Sequence, residues 1–548
     1  MQTVMMSDYA NYHEQISANQ RRQREELRTS YDFIICGSGT SGSVVARRLA
    51  ESDAASVLVL EAGGSDDAPE VENASAWTSN LQSTRDWKFI AEPNPHLNRR
   101  TLSMNMGKVL GGGSSINAMY WSRGHQADWD RLSNDTGDSD WSYASVLALY
   151  KKIENWRGVS DPVYRGENGL VHIAPAVPKS PIIHACLNAY AEIGLPLFPS
   201  QNGSIMEQPE GASISDVCIR DGRRASIFRA YLYPVMHRSN VTVLTDVLVT
   251  RVLFDGNRAS GVECIIDGRL QRLDAAHEVI LSLGAIHTPK VLMQSGVGDA
   301  EELRTFGIPV VENLRGVGRN LQDHCMVAGC IWEAPDSVDT ADIPHYDAIP
   351  QSNAFLRSSR ALTSPDIQLI QAGFPLASED VARRYAFPRK TWALLPALVR
   401  PRSTGRIRLT GSQATDVLAI DSNMLSDPAD MAALVSAVKI VDEIARSTSL
   451  KHFIKRRITP HSMERGALEQ FLRESVVSLW HQTCTAKMGD DEDSVVDSKL
   501  RVHGLANLTV ADGSVLRQVA TGNTMAPCVV VGERAALSVK QRHFDRNG

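Results

Sequence analysis

The stretch Phe33-Ile34-Ile35-Cys36-Gly37-Ser38-Gly39-Thr40-Ser41-Gly42 decides the fold. A short apolar run leads into a Gly-x-Gly-x-x-Gly turn, and residues 44–50 then read as a helix. A second apolar run, residues 57–60, delivers Glu61. Strand, glycine turn, helix, strand and acid in this order are the dinucleotide-binding fingerprint. The stretch therefore predicts a Rossmann-like α/β unit.

Each part of this fingerprint has a physical role. Gly37 allows the tight turn, Gly39 lets the backbone approach a pyrophosphate, and Gly42 lets helix and strand pack closely. The start of the helix offers free N–H groups and a positive dipole end to the phosphates. Glu61 can accept hydrogen bonds from ribose hydroxyls. The glycines alone would indicate only a turn, but both strands and the acid in register favour nucleotide binding.

Length and charge narrow the class of protein. A chain of 548 residues is too long for one simple core, so we expect two or more domains. The net charge of −6 provides no basic excess to hold a phosphate backbone, which argues against nucleic acid as a partner. The longest apolar runs, such as residues 392–399, are too short to span a bilayer.

The cysteines and the N-terminus indicate the compartment. The eight cysteines show no C-x-x-C pair and no metal-type spacing, and several lie in apolar runs. We interpret them as buried, reduced thiols and expect a reducing compartment, the cytoplasm, with no metal site. Residues 1–30 lack the apolar core of a secretory signal and contain acids that disfavour a transit peptide. We expect them to form a mobile or surface-docked helical extension.

A second glycine-rich segment spans residues 107–117. It contains Gly111-Gly112-Gly113, followed by two serines and by Asn117. Unhindered backbone with small donors can lie flat against a planar ligand or a pyrophosphate. Taken alone, the same segment also fits a flexible hinge.

The middle of the chain predicts a β-meander and two helices. Turn signals at Asp255-Gly256 and Asp267-Gly268 separate strand-like stretches. These stretches are residues 241–245, 249–254, 260–266 and 278–282. Residues 284–298 follow as one short helix with Pro289 near its start, and Ser426-Asp427-Pro428 opens a longer one. The Trp, Leu and Tyr residues at helical spacing in 128–156 favour core packing.

Separated segments in a fixed order resemble the glucose–methanol–choline (GMC) oxidoreductases. The segments are residues 107–130, 284–298, 316–324, 400–409 and 522–524. With the fingerprint they extend the likeness over roughly residues 31–540. The resemblance implies an FAD enzyme that oxidises a small-molecule alcohol.

The resemblance also implies a domain organisation of the α/β (α+β) class. A Rossmann-like FAD-binding domain would be accompanied by a substrate domain with a mainly antiparallel sheet flanked by helices. The FAD-binding domain would be discontinuous, and residues 1–30 would stand outside both domains. Its segments would be residues 31–156, 236–324 and 476–548, and those of the substrate domain 157–235 and 325–475.

By resemblance, specific residues are expected to hold FAD. Glu61 would hold the adenosine ribose, and the Val249 backbone would face the adenine. The pyrophosphate would lie against Gly37, Ser38, Gly39 and Gly42. The isoalloxazine and its linker would lie against Gly107, Gly112, Ser115 and Asn117, and the other flavin edge against Asp512, Asn523, Thr524 and Met525. Further contacts are expected from Thr40, Ser41, Ala62, Val109, Ala118, Met119, Trp480 and Gly513. Ile116 stands where some relatives carry the histidine that bonds the flavin covalently, so we predict non-covalent FAD.

Oxidising an alcohol requires removal of a hydroxyl proton and of a hydride from the same carbon. Flavin N5 would take the hydride, and histidine is the natural base for the proton. The family pattern assigns that base to His481. Asn523, where other members carry histidine, would hydrogen-bond the alcohol oxygen. From the residues alone, His481 also fits an inert core histidine, and Asn523 fits a turn.

Other readings stay open at this point. We interpret His125, His324 and His503 as structural or surface groups. The family includes hydroxynitrile lyases, which hold FAD without redox use, although their histidine at the Asn523 position argues against that activity. A flavin-binding protein without catalysis is a third reading. Neither the alcohol, the electron acceptor (oxygen or another) nor the oligomeric state can be read from the sequence.

Overall fold

The computed structural model describes residues 2–178, 180–339 and 351–544, with side chains from Tyr12 onward. Residues 1, 179, 340–350 and 545–548, which the expected limits include, lie outside the described residues.

A seven-stranded sheet is built around the strand that precedes the glycine turn. Ser30–Cys36 lies between Val57–Leu60 and Arg269–Leu281 and is parallel to both. The order across the sheet is Val241–Leu244, Val57–Leu60, Ser30–Cys36, Arg269–Leu281, Arg258–Ile266 and Val247–Asp255, and Leu508–Val510 pairs with Arg269–Leu281. The helices Thr40–Ala50 and Met525–His543 pack against each other beside this sheet. The predicted Rossmann-like unit is confirmed.

One strand of the meander is longer than predicted. The predicted strand 278–282 is only the last part of Arg269–Leu281. Its start, residues 269–272, pairs with Arg258–Ile266, and the side chains of these four residues are largely exposed. Exposure removes the apolar alternation that marks a half-buried strand, which is why the pattern missed it. The turns at Gly256 and Gly268 have φ of +61° and +74°, as a glycine turn requires.

The second large sheet has eight strands. Its order is Arg456–Thr459, Ile331–Glu333, Thr391–Leu398, Ile367–Ala372, Ser352–Leu356 and Gly211–Ile214, with Cys325–Val327 joining Thr391–Leu398 to Val476–Ser478. Every pairing among its described strands is antiparallel. The helices Pro181–Glu192 and Pro428–Ala445 pack on it. This is the antiparallel, helix-flanked sheet that the resemblance implied.

The other predicted helices are present with adjusted bounds. The region 128–156 contains the helices Gln126–Thr136 and Tyr143–Ile153. The helix that begins at Gly284 ends at Gln294, because Val297–Gly298 is already a strand. Asp427 caps the helix Pro428–Ala445 by accepting a 2.8 Å hydrogen bond from the Ala429 N–H. Shorter helices are Ala300–Thr305, Glu379–Arg384 and Arg465–Ser475.

The N-terminal extension is the helix Gln2–Glu25, and it docks on an edge strand. The outer edge of Val241–Leu244 faces two glutamine side chains of this helix. The Gln20 Nε2 donates to the Val243 carbonyl at 2.8 Å, and its Oε1 accepts from the Thr245 N–H at 3.0 Å. Gln23 makes the same two-sided pairing with Val241 and Val243. The surface-docked form of the prediction is therefore the observed one.

All eight cysteines are free thiols, as predicted, and all except Cys528 are fully buried. Across the described ranges, no helix combines the length and apolar character that a membrane crossing requires.

Candidate active site

A cavity of about 300 Å³ extends from the glycine turn to the antiparallel sheet. Its wall at one end includes Gly39 and Glu61, and at the other end Ile370 and Leu395. Most residues expected to hold FAD line it. They are Gly37, Gly39, Thr40, Ser41, Glu61, Ala62, Gly107, Gly112, Asn117, Ala118, Val249, Trp480, Asp512, Gly513, Asn523, Thr524 and Met525.

The other expected FAD residues lie behind this wall. Ser38 is buried and donates its hydroxyl to Glu61 Oε2 at 2.8 Å, while the Ser115 hydroxyl donates to the Leu110 carbonyl at 2.6 Å. Gly42 packs on Gly37, and Val109 and Met119 are buried core residues. These residues support the cavity wall from behind, and their direct contact with FAD stays a prediction.

Two glycine segments meet at the nucleotide end of the cavity. Gly37 has φ of +96°, and a Cβ there would lie 2.3 Å from the Ser282 carbonyl oxygen. At Gly112, with φ of +51°, a Cβ would lie 2.9 Å from the Cα of Gly39. Only glycine fits both positions, so the two backbones form a cradle without side chains. Such a cradle fits the pyrophosphate of FAD.

Glu61 is held in place beside this cradle. Its Oε2 accepts from the backbone N–H and the hydroxyl of Ser38, and its Oε1 accepts from the Gly63 N–H at 2.9 Å. Burial raises the pKa of Glu61, and these three donors oppose the rise. The fixed carboxyl lines the cavity where a ribose would lie next to the cradle.

His481 and Asn523, distant in sequence, meet at the cavity. The Asn523 amide nitrogen lies 3.2 Å from His481 Nε2, and the Asn523 Oδ1 accepts from Gln368 Nε2 at 3.3 Å. Trp480 has φ of +60°, a left-handed conformation rare for a bulky residue. Backbone strain of this kind concentrates at functional sites. The distance between Asn523 and His481 shows that the two predicted catalytic side chains are in contact.

Hydrogen bonding assigns the tautomer of His481. An amide nitrogen can only donate, so His481 Nε2 is the acceptor and carries the lone pair. The proton of the neutral ring is then on Nδ1, which donates to His324 Nδ1 at 2.8 Å. His324 Nδ1 is then the acceptor, and the proton of its neutral ring is on Nε2. The lone pair that can take a proton therefore lies beside Asn523.

His324 belongs to the site, and the sequence interpretation missed this role. It is fully buried and touches His481, so the surface alternative is wrong for this residue. Residues 316–324 resemble the family, and this resemblance was the only sequence signal for His324. His125 is structural, because its ring caps Gln126–Thr136, and His503 bonds the Gly489 carbonyl at 2.8 Å.

Burial controls the protonation of these groups. It lowers the pKa of His481 to about 3 and that of His324 well below the usual value, so both rings are neutral at ordinary pH. The neighbouring Asp323 accepts the His481 backbone N–H at 2.8 Å. Burial raises the pKa of Asp323 to about 7, against the opposing effect of its hydrogen-bond donors.

Thr485 connects the His481 segment to the helix Gly284–Gln294. Pro289 lies inside this helix rather than near its start, and it lacks the N–H that would bond the Ala285 carbonyl. The Thr485 hydroxyl donates to that carbonyl at 2.6 Å instead. The Ala285 carbonyl, which has no helical donor, therefore anchors the loop that carries His481.

Comparison with known proteins agrees with this geometry. Two family models, both described as GMC oxidoreductase, match residues 31–326 and 401–532. The chain is 34% identical over 544 residues to an oxygen-dependent choline dehydrogenase of Pseudomonas savastanoi pv. phaseolicola, covering 94% of both chains. It is 33% identical to the mitochondrial choline dehydrogenase of Mus musculus, covering 93% of this chain and 89% of that one.

A solved structure shows the same architecture. The crystal structure of pyridoxine 4-oxidase from Mesorbium loti superposes with a TM-score of 0.87 at 28% identity, covering 94% of this chain and 100% of that one. GMC oxidoreductases bind FAD, and the cradle, the fixed Glu61 and the lined cavity fit that cofactor. The chain belongs to the GMC oxidoreductase family.

Proposed function

We propose that this protein oxidises the CH–OH group of a small-molecule alcohol, with His481 as the general base and Asn523 as the partner of the alcohol oxygen. FAD, when bound, supplies the acceptor for the hydride. The neutral imidazole of His481 offers the Nε2 lone pair to the hydroxyl proton. The Asn523 amide N–H donates to the oxygen and stabilises its negative charge as the proton leaves.

One observation carries this proposal: Asn523 Nδ2 lies 3.2 Å from His481 Nε2, and both residues line the cavity. A hydroxyl at this point would reach an acceptor on one side and a donor on the other. Protonation of His481 would leave its Nδ1–H donating to His324, which supports the positive ring. In a protein that bound flavin without catalysis, the pairing of His481 with Asn523 would have no role.

The test is anaerobic mixing of the FAD-loaded protein with a panel of alcohols. We expect at least one alcohol to bleach the flavin absorbance near 450 nm. A hydroxynitrile lyase would leave the flavin oxidised with every alcohol, so a panel without bleaching would contradict the proposal. Admitting air afterwards distinguishes oxygen from another electron acceptor by the rate at which the colour returns.

We infer the domain limits and the compartment on separate grounds. The FAD-binding segments 31–156, 236–324 and 476–548 supply the nucleotide end of the cavity, and hydrogen exchange should slow in all three when FAD binds.

The free thiols support a reducing compartment, the cytoplasm. Activity found in the membrane pellet of fractionated cells would contradict a cytoplasmic location.

A further inference from the structure

The end of the cavity away from the glycine cradle has an apolar wall. This wall consists of side chains on and beside strands of the antiparallel sheet, and they form one hydrophobic cluster. The lining members are Met326, Ile370, Ala372, Phe374, Leu376, Leu395 and Leu479. We call these seven residues the apolar wall.

The apolar wall begins beside the catalytic pair. Gln368 donates to Asn523, and it lies on the strand Ile367–Ala372. Side chains two residues apart point to the same face of a strand, so Ile370 and Ala372 follow Gln368 along the face that meets the cavity. An alcohol with its hydroxyl at His481 would therefore extend its remaining carbon atoms along this wall.

Among the described lining residues, the carboxyl side chains lie on the cofactor side of the cavity. These carboxyl side chains are Glu61 and Asp512, and no lysine or arginine is among the described lining residues. Asp512 accepts from the Gly284 N–H at 3.0 Å and from the Thr288 hydroxyl at 2.6 Å, so it is held against the nucleotide fold. The histidines His287 and His481 are neutral, because burial lowers the pKa of each to about 3.

A charged substrate would meet an unfavourable environment at this wall. Ammonium or carboxylate groups lose water on entry, and none of the seven wall residues offers a counter-ion. Phe374 is the one aromatic ring of the apolar wall whose face can attract a cation. The polar lining residues Gln371 and Tyr120 are uncharged. A neutral alcohol loses little by the same transfer and gains from burying its carbon atoms.

Resting on the proposed function, we propose that the substrate is an uncharged alcohol with an apolar body, and that choline is discriminated against. The choline dehydrogenases with 33–34% identity share the family and not, on this inference, the substrate. The discriminating feature is the apolar wall, which offers carbon contacts and no counter-charge among its seven residues.

The test uses two alcohols of the same shape. Choline and 3,3-dimethylbutan-1-ol differ in one atom, a quaternary nitrogen in place of a quaternary carbon, and both end in CH2–CH2–OH. We expect kcat/KM of anaerobic flavin reduction to be at least about 100-fold higher for the neutral alcohol. Equal or faster reduction by choline would overturn this inference while leaving alcohol oxidation intact. Bleaching by no alcohol at all would overturn the proposed function, and the substrate inference with it.

Variants at Ile370 test whether the apolar wall causes the preference for the neutral alcohol over choline. Ile370→Thr keeps the branched shape but places a hydroxyl in the wall, and we expect kcat/KM for the neutral alcohol to fall about 10-fold through KM. The limiting reduction rate should change much less, because the catalytic pair is untouched. Ile370→Val, the matched control, removes one carbon without adding a polar atom and should lower kcat/KM less than about 3-fold. Identical losses in both variants would contradict a role of wall polarity.

Discussion

A relay of hydrogen bonds fixes the protonation of His481 at the residue scale. Asn523 donates to Nε2 and His324 accepts from Nδ1, so the neutral ring has one arrangement that satisfies both neighbours. Burial removes the alternative in which the ring is charged before substrate binds, because it lowers the pKa of His481 to about 3.

This lowered pKa predicts the pH dependence of flavin reduction. The deprotonated ring is the active form, and it persists at every pH above its pKa. A histidine with the ordinary value of about 6.5 would be about 97% protonated at pH 5 and lose about 30-fold in rate. We expect the limiting rate from stopped-flow absorbance to stay nearly constant between pH 8 and pH 5.

Asp323→Asn is the control for that profile, because burial raises the pKa of Asp323 to about 7. An inflection near pH 7 that disappears in this variant belongs to Asp323. A 30-fold fall centred near pH 6.5 in both proteins would contradict the assigned protonation of His481.

His324→Phe tests the other end of the relay. Phenylalanine keeps a ring in the buried site but cannot accept the Nδ1 proton of His481. We expect FAD content to be retained and the limiting rate of flavin reduction to fall about 10–100-fold. His324→Gln, which restores an acceptor, should recover part of the rate, and equal rates in the two variants would argue against the relay.

The sequence supported His481 and Asn523 only through motif context, because spacing alone cannot show that residues 42 positions apart touch. His324 was harder to predict. It lies 157 positions from its partner, and a lone histidine after the polar residues Gln322 and Asp323 gives no sign of what it faces. The left-handed backbone at Trp480 was equally invisible, since tryptophan carries no preference for it.

At the scale of elements, the N-terminal helix shows how an edge strand is covered. An edge strand exposes unpaired N–H and C=O groups. Gln20 and Gln23, three positions apart, lie one turn from each other on the helix, and their amides pair with alternate residues of Val241–Leu244 and with Thr245. Two side chains thus take the place of a neighbouring strand.

The double variant Gln20→Ala, Gln23→Ala should therefore destabilise the protein. The variant loses four hydrogen bonds to the edge strand, each contributing about 0.5–1.5 kcal/mol, so we expect the free energy of unfolding to fall by about 2–6 kcal/mol. Urea denaturation followed by fluorescence measures the change, and Arg22→Ala, exposed on the same helix, is the control. A double variant as stable as the control would mean that the glutamines do not cover the edge.

The elements were predicted best where burial imposes a periodic pattern. The strands around the glycine turn and the helix capped by Asp427 follow this periodic pattern closely. The start of Arg269–Leu281 was missed because its side chains are largely exposed and show no apolar alternation. The docked glutamines were missed because polar side chains on a helix ordinarily face water.

For the whole molecule, the cavity depends on two sheets that meet. The mixed seven-stranded sheet supplies the glycine cradle and Glu61, and the antiparallel sheet supplies the apolar wall. Fold class and sheet type followed from the sequence and its resemblance. The position of the apolar wall could not be predicted from the sequence, because the wall is assembled from strands far apart along the chain.

The same assembly bears on how the flavin is held. Ile116 lies in the cavity wall at the position where some relatives carry the histidine that bonds the flavin, and its side chain cannot bond the ring covalently. We expect acid precipitation of the purified protein to leave the yellow colour in the supernatant. A yellow pellet after washing would contradict non-covalent binding.

The central claim is that His481 takes the hydroxyl proton, and one measurement tests it directly. In anaerobic stopped-flow experiments with a saturating alcohol, we expect His481→Ala to keep its FAD and to lose about 100- to 10,000-fold in the limiting rate of flavin reduction. His237→Ala, an exposed histidine, is the control and should match the parent protein. Flavin reduction by His481→Ala at the parent rate would contradict the account.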